Sequence, residues 1–275
     1  MRYYRHELNL VYPKRSDEHM IDVKHLRDTN FDENYPFYDK SFKAKLSRGI
    51  LSVGLYLVGY LAVTVRYGLR IHNRKVLKKN KELLKDGAIT VCNHVLMWDY
   101  LCILKAIRPR LQYHAAWKIN FEGSNGPFIR WVGGMPIPTD NIRAMAKWQK
   151  AVDQVLEDKK WLHFFPEGSM WFYYPDVRPF KPAVFKFAVK NNKPVIPMGI
   201  SFRPRKGIWK LFGKKPFADL WIGDPILPDT TVSRPEAIDK MHKEAYHAVQ
   251  VLVGVNPGDP TYNTNQNIDE YKKTM

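Results

Sequence analysis

The chain has 275 residues, of which 45% are hydrophobic and 13% aromatic, so it can bury a sizeable core and is not a mainly disordered protein. Its 44 Lys and Arg residues outnumber its 27 Asp and Glu residues and give a net charge of +17. Such a surplus favours an acidic partner, whether nucleic acid, an anionic membrane or an acidic carrier protein. Cys92 and Cys102 lie among apolar residues and indicate a reducing compartment rather than a disulfide framework.

The first part of the chain changes from polar to apolar. Residues 1–40 are polar with scattered Tyr and Pro, and no secondary structure is predicted for this extension. Residues 50–65, ILSVGLYLVGYLAVTV, carry no charge, and a helix of this length reaches about 24 Å, short of a ~30 Å hydrocarbon core. Positive residues flank the stretch on both sides, which favours a helix that enters one leaflet and returns. A buried core helix is the alternative.

The next stretch is strongly basic. Residues 66–85 carry eight Lys or Arg residues and one Glu, which suits anionic lipid headgroups, although a charge run is often only a solvated face. Residues 41–85 are therefore predicted to be a membrane-association segment of two helices, one apolar and one basic.

From residue 86 to residue 255, short apolar runs alternate with amphipathic stretches. Strands are predicted at 87–93, 111–117, 133–139, 160–166, 193–202 and 220–226, and helices at 98–107, 141–158, 182–192 and 234–253. Strands separated by helices predict an α/β fold with a mostly parallel sheet flanked by helices. In such sheets, functional sites form at the carboxyl ends of the strands. Residues 256–275 are interpreted as a polar C-terminal tail.

The stretch VCNHVLMWDYLC, residues 91–102, places a histidine and an aspartate between hydrophobic side chains. Inside one helix, five steps of about 100° would place His94 and Asp99 about 140° apart and out of contact. They can meet if His94 lies in the loop after a strand and Asp99 in the first turn of the next helix. Asp99 would then orient the imidazole, whose other nitrogen could take a proton from a hydroxyl. A core histidine satisfied by a neighbouring carboxylate is the alternative.

A second polar group follows a later strand. In HFFPEGSMWF, residues 163–172, the strand runs into Pro166 and is followed by Glu167 and Gly168. The glycine allows the backbone to approach a ligand closely, and the glutamate would lie at a carboxyl end of the sheet. By itself the sequence PEG predicts only a turn. If its strand lies next to the strand that precedes His94, Glu167 and Gly168 would complete a site.

Four blocks, in order, resemble the glycerolipid acyltransferase family, typified by 1-acylglycerol-3-phosphate O-acyltransferases. The blocks are NHVLMWD at 93–99, the region from Trp117 and Lys118 through GPFIRWVGGMPIPTDN, FPEGS at 165–169, and RPFKPAVFKFAVKNNKPVIPMGI at 178–200. IGDPI at 222–226 resembles a further family element. The resemblance covers roughly residues 85–228. It implies acyl transfer from an acyl-carrier-protein or coenzyme A thioester to a lipid hydroxyl, with no metal and no bound cofactor.

The resemblance also implies roles for individual residues. His94 would be the general base and Asp99 its orienting partner. Glu167, Gly168 and Ser169 would bind and position the acceptor. Lys118, which matches a family lysine after the second strand, could contact the acceptor phosphate.

The sequence departs from the family pattern in ways that concern the acceptor. Leu96 stands where the family usually has Ser or Thr. Thr139 and Asp140 stand where one phosphate-binding arginine is expected, and Met170 replaces a second, followed by the aromatic run 171–174. The bidentate fork of arginine is not readily replaced in phosphate recognition, and aromatic faces suit sugar rings and acyl chains.

Two interpretations of the acceptor therefore stay open. One is a lysophosphatidate-type lipid whose phosphate is bound by Lys118, Arg143 or Arg178 in place of the missing arginines. The other is a lyso-lipid with a masked phosphate, or a lipid with a sugar or polyol head.

We expect a monotopic, membrane-associated O-acyltransferase at the cytoplasmic face, with membrane lipids and acyl carrier protein or acyl-CoA as partners. A nucleic-acid-binding protein would explain the charge but not residues 50–65 or the ordered blocks. A metal-dependent hydrolase would need further closely spaced ligands, and His114 and His163 lie in strand-like runs that favour core packing. A non-catalytic basic lipid-binding protein is the remaining alternative. The oligomeric state is left open.

Overall fold

The computed structural model describes residues 4–6, 8–21, 23 and 27–255. The predicted tail, 256–275, lies outside the described residues. The strands are β1 Arg70–His72, β2 Ala88–Cys92, β3 Gln112–Trp117, β4 Gly134–Ile137, β5 Trp161–Phe164, β6 Val195–Arg203 and β7 Phe217–Ile222. Within the described ranges they form one sheet in the order β1-β7-β6-β2-β5-β3-β4. Every neighbouring pair is parallel except β6 and β7, which confirms the predicted mostly parallel sheet.

Helices flank this sheet. They are α1 Phe42–Tyr67, α2 Lys75–Lys79, α3 Asp99–Ile107, α4 Ile119–Glu122, α5 Gly126–Trp131, α6 Ile142–Glu157, α7 Ala183–Lys190 and α8 Arg234–Val253. A π-helical turn, Leu55–Gly59, lies within α1, and a 3-10 helix, Gly207–Phe212, lies between β6 and β7. The Asn141 side chain caps α6 by accepting hydrogen bonds from the N–H groups of Arg143 and Ala144.

The core lies on both faces of the sheet. Alternate residues of β2 enter opposite clusters: Ala88 and Cys92 pack with α1 and α3, whereas Ile89 and Val91 pack with α6, α7 and α8. All five residues of β2 are buried, which is why this strand is a continuous apolar run in the sequence. The central strand therefore carries the loop that follows it, with His94, on a rigid base.

The helix α1 is longer than the predicted apolar stretch. It has 26 residues and is long and apolar enough to cross a membrane, yet it packs along the domain with Leu51, Leu55 and Val63 buried. Its other side exposes large hydrophobic side chains, namely Phe42, Leu46, Ile50, Val53, Tyr56, Leu57, Val58, Leu61 and Val65. A helix with one buried and one exposed apolar side can anchor the domain to a membrane.

The prediction of one basic helix over residues 66–85 is wrong. Gly68 ends α1 in the left-handed conformation, with φ +53°. Arg70–His72 then forms the edge strand β1, parallel to β7, and between Gly68 and residue 85 only Lys75–Lys79 is helical. A three-residue edge strand carries no apolar run of its own, because its conformation is imposed by hydrogen bonds to its neighbour.

The N-terminal extension packs against the domain. Among its described residues the backbone forms turns and no helix or strand, in line with the absence of a predicted element. Phe31 and Phe37 are buried, and the Tyr12 hydroxyl donates a 3.1 Å hydrogen bond to the carbonyl oxygen of Phe172. The extension is therefore part of the packed structure.

Candidate active site

The loops that follow β2 and β5 meet at one edge of the sheet. The two strands are parallel neighbours, with Val91 opposite Phe164, so their carboxyl ends lie side by side. The main-chain N–H of His94 donates a 3.0 Å hydrogen bond to Oε2 of Glu167. The predicted meeting of these two segments on neighbouring strands is confirmed.

His94 and Asp99 are in contact, as their spacing predicted. Nδ1 of His94 lies 2.6 Å from Oδ2 of Asp99, which is the first residue of α3. The Asp99 carboxylate also accepts a 3.2 Å hydrogen bond from the N–H of Val95, and the helix N-terminus favours its negative charge. Because a carboxylate accepts, Nδ1 carries the proton, and in the neutral imidazole Nε2 then has a free lone pair.

The imidazole of His94 is fixed by stacking and stays accessible. It stacks on the ring of Phe165 at a centroid distance of 3.9 Å and an interplanar angle of 10°. Its side chain is 23% exposed, against 2% for that of Asp99, and it lines a cavity. This arrangement can accept a proton from a group bound in the cavity.

The aromatic run 171–174 supports the His94 loop. The N–H of Trp171 donates a 3.0 Å hydrogen bond to the carbonyl oxygen of His94, and that of Tyr173 donates a 2.9 Å hydrogen bond to Val95. None of the four aromatic side chains, all within the described residues, lines the cavity. The rings of Trp171 and Tyr173 are buried and those of Phe172 and Tyr174 partly buried, so the run packs against the domain and supports the His94 loop.

Glu167 and Arg178 form a buried ion pair. Nη2 of Arg178 lies 2.7 Å from Oε2 of Glu167, and the two side chains are 2% and 0% exposed. The main-chain N–H of Arg178 donates a 2.9 Å hydrogen bond to the other carboxylate oxygen. Neither side chain lines the cavity, although both were expected to touch the acceptor. The pair instead ties the loop after β5 to the residues before α7.

Of the other residues expected to contact the acceptor, two line the cavity and two do not. Gly168, in the left-handed conformation at φ +81°, and Ser169 line the cavity. The side chain of Lys118 is paired with Asp140 and lies outside the cavity lining. Arg143, in the first turn of α6, is exposed and also lies outside the lining.

Sequence reasoning missed a cation beside the glycine turn. Lys181 lines the cavity next to Gly168, where its Nζ is 2.9 Å from the position that a Cβ of residue 168 would occupy. In the sequence this lysine is part of the fourth block, in which only Arg178 is predicted to contact the acceptor. The main-chain N–H of Lys181 donates a 2.8 Å hydrogen bond to the carbonyl oxygen of Pro166, which holds this residue beside the glycine turn.

The N-terminal extension adds a wall that the sequence did not reveal. Asp17 and His19 line the cavity, and the His19 ring stacks on Trp117 at 3.8 Å and 13°. Burial, followed by the proximity of His94, lowers the pKa of His19 below its usual value. The carbonyl oxygen of Ser16 accepts a 2.7 Å hydrogen bond from Arg178 and holds the segment in place.

The cavity has a volume of about 1530 Å³ and extends from His94 along α1. Leu55, Val58 and Ala62 of α1 line one side, and Trp148 and Phe187 line another. A pocket of this size and apolar lining can hold a long aliphatic chain beside a reacting group.

Two further histidines lie behind the site. His163 is buried, with Nδ1 2.8 Å from the Thr90 hydroxyl, and burial lowers its pKa well below the usual value. Burial also lowers the pKa of His114, which lines the cavity, to about 3. Both rings are therefore neutral near pH 7, and the predicted core packing of His163 is confirmed.

Comparison with known proteins identifies a family and similar solved structures, one of which is described here. Residues 68–201 match the family model described as Acyltransferase, and this range includes His94, Asp99, Glu167 and Arg178. No match is found among the curated protein sequences. The crystal structure of the 1-acyl-sn-glycerophosphate (LPA) acyltransferase PlsC from Thermotoga maritima is similar, with 20% identity, a TM-score of 0.42, and coverage of 76% of this chain and 97% of that chain. A likeness at this level carries no functional argument.

Proposed function

We propose that this chain, in which residues 68–201 match the acyltransferase family, transfers a fatty acyl group from an acyl-carrier-protein or coenzyme A thioester to the hydroxyl of a lyso-lipid, with His94 as the general base. A lysophosphatidate-type lipid is the first candidate acceptor. The observation that carries the proposal is the 2.6 Å contact between His94 and Asp99 at the wall of an apolar cavity.

In the proposed reaction, the acceptor oxygen attacks the thioester carbonyl carbon while Nε2 of His94 takes the hydroxyl proton. Asp99 stabilises the imidazolium that forms. The tetrahedral intermediate then collapses, the C–S bond breaks, and the sulfur leaves with the proton from His94. The thioester is already activated, so the mechanism needs no covalent enzyme intermediate. A positioned general base contributes ~100- to 10,000-fold to such a step.

Glu167 and Arg178 are proposed to act through His94 rather than on the substrate. Their side chains are excluded from the cavity, and the glutamate carboxylate holds the main chain of His94. They are therefore positioning residues. Gly168 and Lys181 line the cavity and can contact the acceptor head. The Ser169 hydroxyl donates to the carbonyl oxygen of Ser16 at 3.2 Å and accepts from Arg178, so Ser169 is proposed to support this turn.

A neutral lyso-lipid is the second candidate acceptor. The three cations expected to replace the missing arginines, Lys118, Arg143 and Arg178, all lie outside the cavity lining. A phosphate bound at the glycine turn would then be contacted by Lys181. A lysine offers a point charge and lacks the bidentate fork of arginine. A lipid with a sugar or polyol head would need no such cation.

The acceptor is proposed to reach the site from a membrane. The exposed apolar side of α1 suits the interior of one leaflet, and Leu55, Val58 and Ala62 of the same helix line the cavity. A lipid could therefore enter beside α1 without crossing water. The net charge of +17 and the free cysteines Cys92 and Cys102 fit the cytoplasmic face, where anionic lipids and the acyl thioesters meet.

The test is acceptor-dependent release of free thiol from acyl-CoA and acyl-carrier-protein donors in detergent micelles. Wild type, His94→Ala and His72→Ala would be compared with lysophosphatidate and monoacylglycerol as acceptors. His72 is a matched control, because its Nε2 pairs with Asp219 at 2.8 Å in the edge strand β1.

We expect His94→Ala to lower turnover at least ~100-fold and His72→Ala to leave it unchanged. A His94→Ala enzyme that keeps the wild-type rate would overturn the proposal. A preference for monoacylglycerol over lysophosphatidate would favour the second candidate acceptor.

A further inference from the structure

The hairpin between β6 and β7 presents apolar side chains to solvent. Its tip is the 3-10 helix Gly207–Phe212, and within this helix no residue is buried. The exposed large hydrophobic side chains of the tip are Ile208 at 66%, Trp209 at 53%, Leu211 at 83% and Phe212 at 66%. A turn this short cannot fold its own side chains into a core, so the apolar surface needs a partner outside the hairpin.

Basic residues alternate with these apolar ones. Between Asp176 and Asp219 the chain contains no acidic residue. The basic residues of the hairpin are Arg203, Arg205, Lys206, Lys210, Lys214 and Lys215. The guanidinium of Arg205 donates to the carbonyl oxygen of Lys215 at 2.7 Å and closes the hairpin neck. The lysines at 206, 210 and 214 are exposed, and the ion pairs of the described residues involve none of them.

The base of the hairpin lies against the end of α1. Arg203 donates to the carbonyl oxygen of Gly68, the residue that ends α1, and Phe217 packs against the same glycine. Two exposed apolar surfaces, that of α1 and that of the hairpin tip, are therefore joined at their bases.

The same junction reaches the candidate active site. Nζ of Lys215 lies 5.7 Å from the ring centroid of Tyr173, whose N–H donates to the carbonyl oxygen of Val95, the residue after His94. On the α1 side, Arg66 lies 4.5 Å from the ring of Trp98, which lines the cavity. The hairpin, the end of α1 and the His94 loop form one continuous junction.

We infer that the hairpin tip, residues 207–212, inserts into the headgroup region of an anionic lipid bilayer and is a second membrane contact beside α1. Trp209 and Phe212 suit the interfacial zone, where aromatic rings are enriched. Lys206, Lys210 and Lys214 suit acidic headgroups, while their aliphatic stems lie along the apolar surface. Two separate contacts fix the tilt of the domain on the membrane, which one helix alone leaves free.

A bilayer fits this tip better than an acidic carrier protein does. A stable protein interface buries about 800 Å² on each partner, far more than the four apolar side chains of a six-residue turn present. Recognition of an acidic protein would use the lysines and would leave the exposed Leu211 and Ile208 unexplained. The inference rests on the proposed function in one respect, that the acceptor is a membrane lipid.

The first test places a fluorescent probe at the tip. Cys92 and Cys102 are buried, so an environment-sensitive thiol dye will label the introduced cysteine of Leu211→Cys in the full chain. Ile142→Cys is the matched control, because Ile142 is 87% exposed at the start of α6, on the sheet face opposite α1. Vesicles of phosphatidylglycerol and phosphatidylcholine in equal parts would be added to each labelled protein.

We expect the emission at residue 211 to shift to the blue with anionic vesicles and the emission at residue 142 to stay unchanged. No shift at 211 would overturn the inference. A shift at 211 with acyl carrier protein, or on self-association of the chain, but not with vesicles would also overturn it, in favour of a protein partner.

The second test removes the apolar tip. The triple variant Trp209→Ser, Leu211→Ser and Phe212→Ser should partition about tenfold more weakly into the same vesicles, and Ile142→Ser should partition like wild type. Unchanged partition of the triple variant would contradict the inference. Turnover of micelle-dispersed acceptor should stay within about twofold, because the tip is outside the cavity. Vesicle binding needs no turnover, so a failure of the proposed reaction would not be mistaken for a failure of the membrane contact.

Discussion

The main-chain N–H of His94 donates a 3.0 Å hydrogen bond to the carboxylate of Glu167, so the loop that follows β2 is tied directly to the loop that follows β5. Arg178 neutralises the same carboxylate at 2.7 Å, and both side chains are excluded from water. The position of the imidazole therefore depends on an ion pair that lies outside the cavity.

Breaking this ion pair should be strongly destabilising. Arg178→Met leaves the carboxylate of Glu167 buried without its cation, and we expect a loss of about 3–5 kcal/mol in the free energy of unfolding. Lys243→Met is the control, since Lys243 pairs with Asp239 on the surface and should cost no more than ~1 kcal/mol. Urea unfolding of both variants measures the difference. Equal stability of the two would show that the buried pair does not hold the loops.

Asp99→Asn should slow the reaction without weakening the binding of the acceptor. One carboxylate oxygen of Asp99 accepts from both Nδ1 of His94 and the N–H of Val95, so the asparagine oxygen can keep both hydrogen bonds, but the neutral amide no longer stabilises the imidazolium that forms in the reaction. We expect kcat to fall about 100-fold with KM nearly unchanged. Nitrogen NMR of the labelled imidazole should show that the proton stays on Nδ1, so that the fall in kcat reports the lost charge. Asp219→Asn, which alters the partner of His72, is the matched control and should keep the wild-type kcat.

Lys181 and Lys118 should differ in their effect on acceptor binding. Lys181 faces the cavity beside Gly168, whereas the charge of Lys118 is paired with Asp140 outside it. For a phosphate-bearing acceptor, Lys181→Met should raise KM about tenfold, the loss of one charge-assisted hydrogen bond. Lys118→Met should leave KM unchanged.

The same two variants should be assayed with monoacylglycerol, for which both KM values should match that of wild type. An equal rise in KM for both acceptors in Lys181→Met would mean that the lysine shapes the cavity rather than binds phosphate.

The buried histidines should make stability sensitive to acid. Burial lowers the pKa of His114 from 6.5 to about 3 and that of His163 in the same direction. Between these values the unfolded chain binds more protons than the folded one, so stability is full above pH 6.5 and falls as the pH drops toward about 3. Each histidine should contribute a slope of about 1.4 kcal/mol per pH unit.

Urea unfolding at several pH values from about 7 to about 5 measures this slope. His114→Gln should reduce this slope by the contribution of one proton. A slope that His114→Gln does not alter would show that His114 is protonated in the folded protein at these pH values.

Local patterns predicted most of the elements correctly, for identifiable reasons. The strand β2 is buried on both faces and is therefore a continuous apolar run, and α6 shows both its apolar stripe and its capping Asn141 in the sequence. The edge strand β1 was missed because Arg70–His72 has no apolar pattern, and its extended form comes from pairing with β7. An element can be predicted from the sequence when its own side chains favour that conformation. An element that forms only by pairing with a neighbouring strand cannot.

The sequence by itself determined the order of the blocks and the pairing of His94 with Asp99, because a five-residue spacing at a strand–helix junction restricts where both side chains can lie. The tertiary structure alone decided which charges meet the cavity. The charge of Arg178 is neutralised by Glu167, whereas Lys181 lines the cavity beside the glycine turn. It also brought His19 onto Trp117 from a segment without periodic pattern. The burial of a side chain and its contacts depend on which distant segments the strand order brings together. The local spacing of residues does not determine that order.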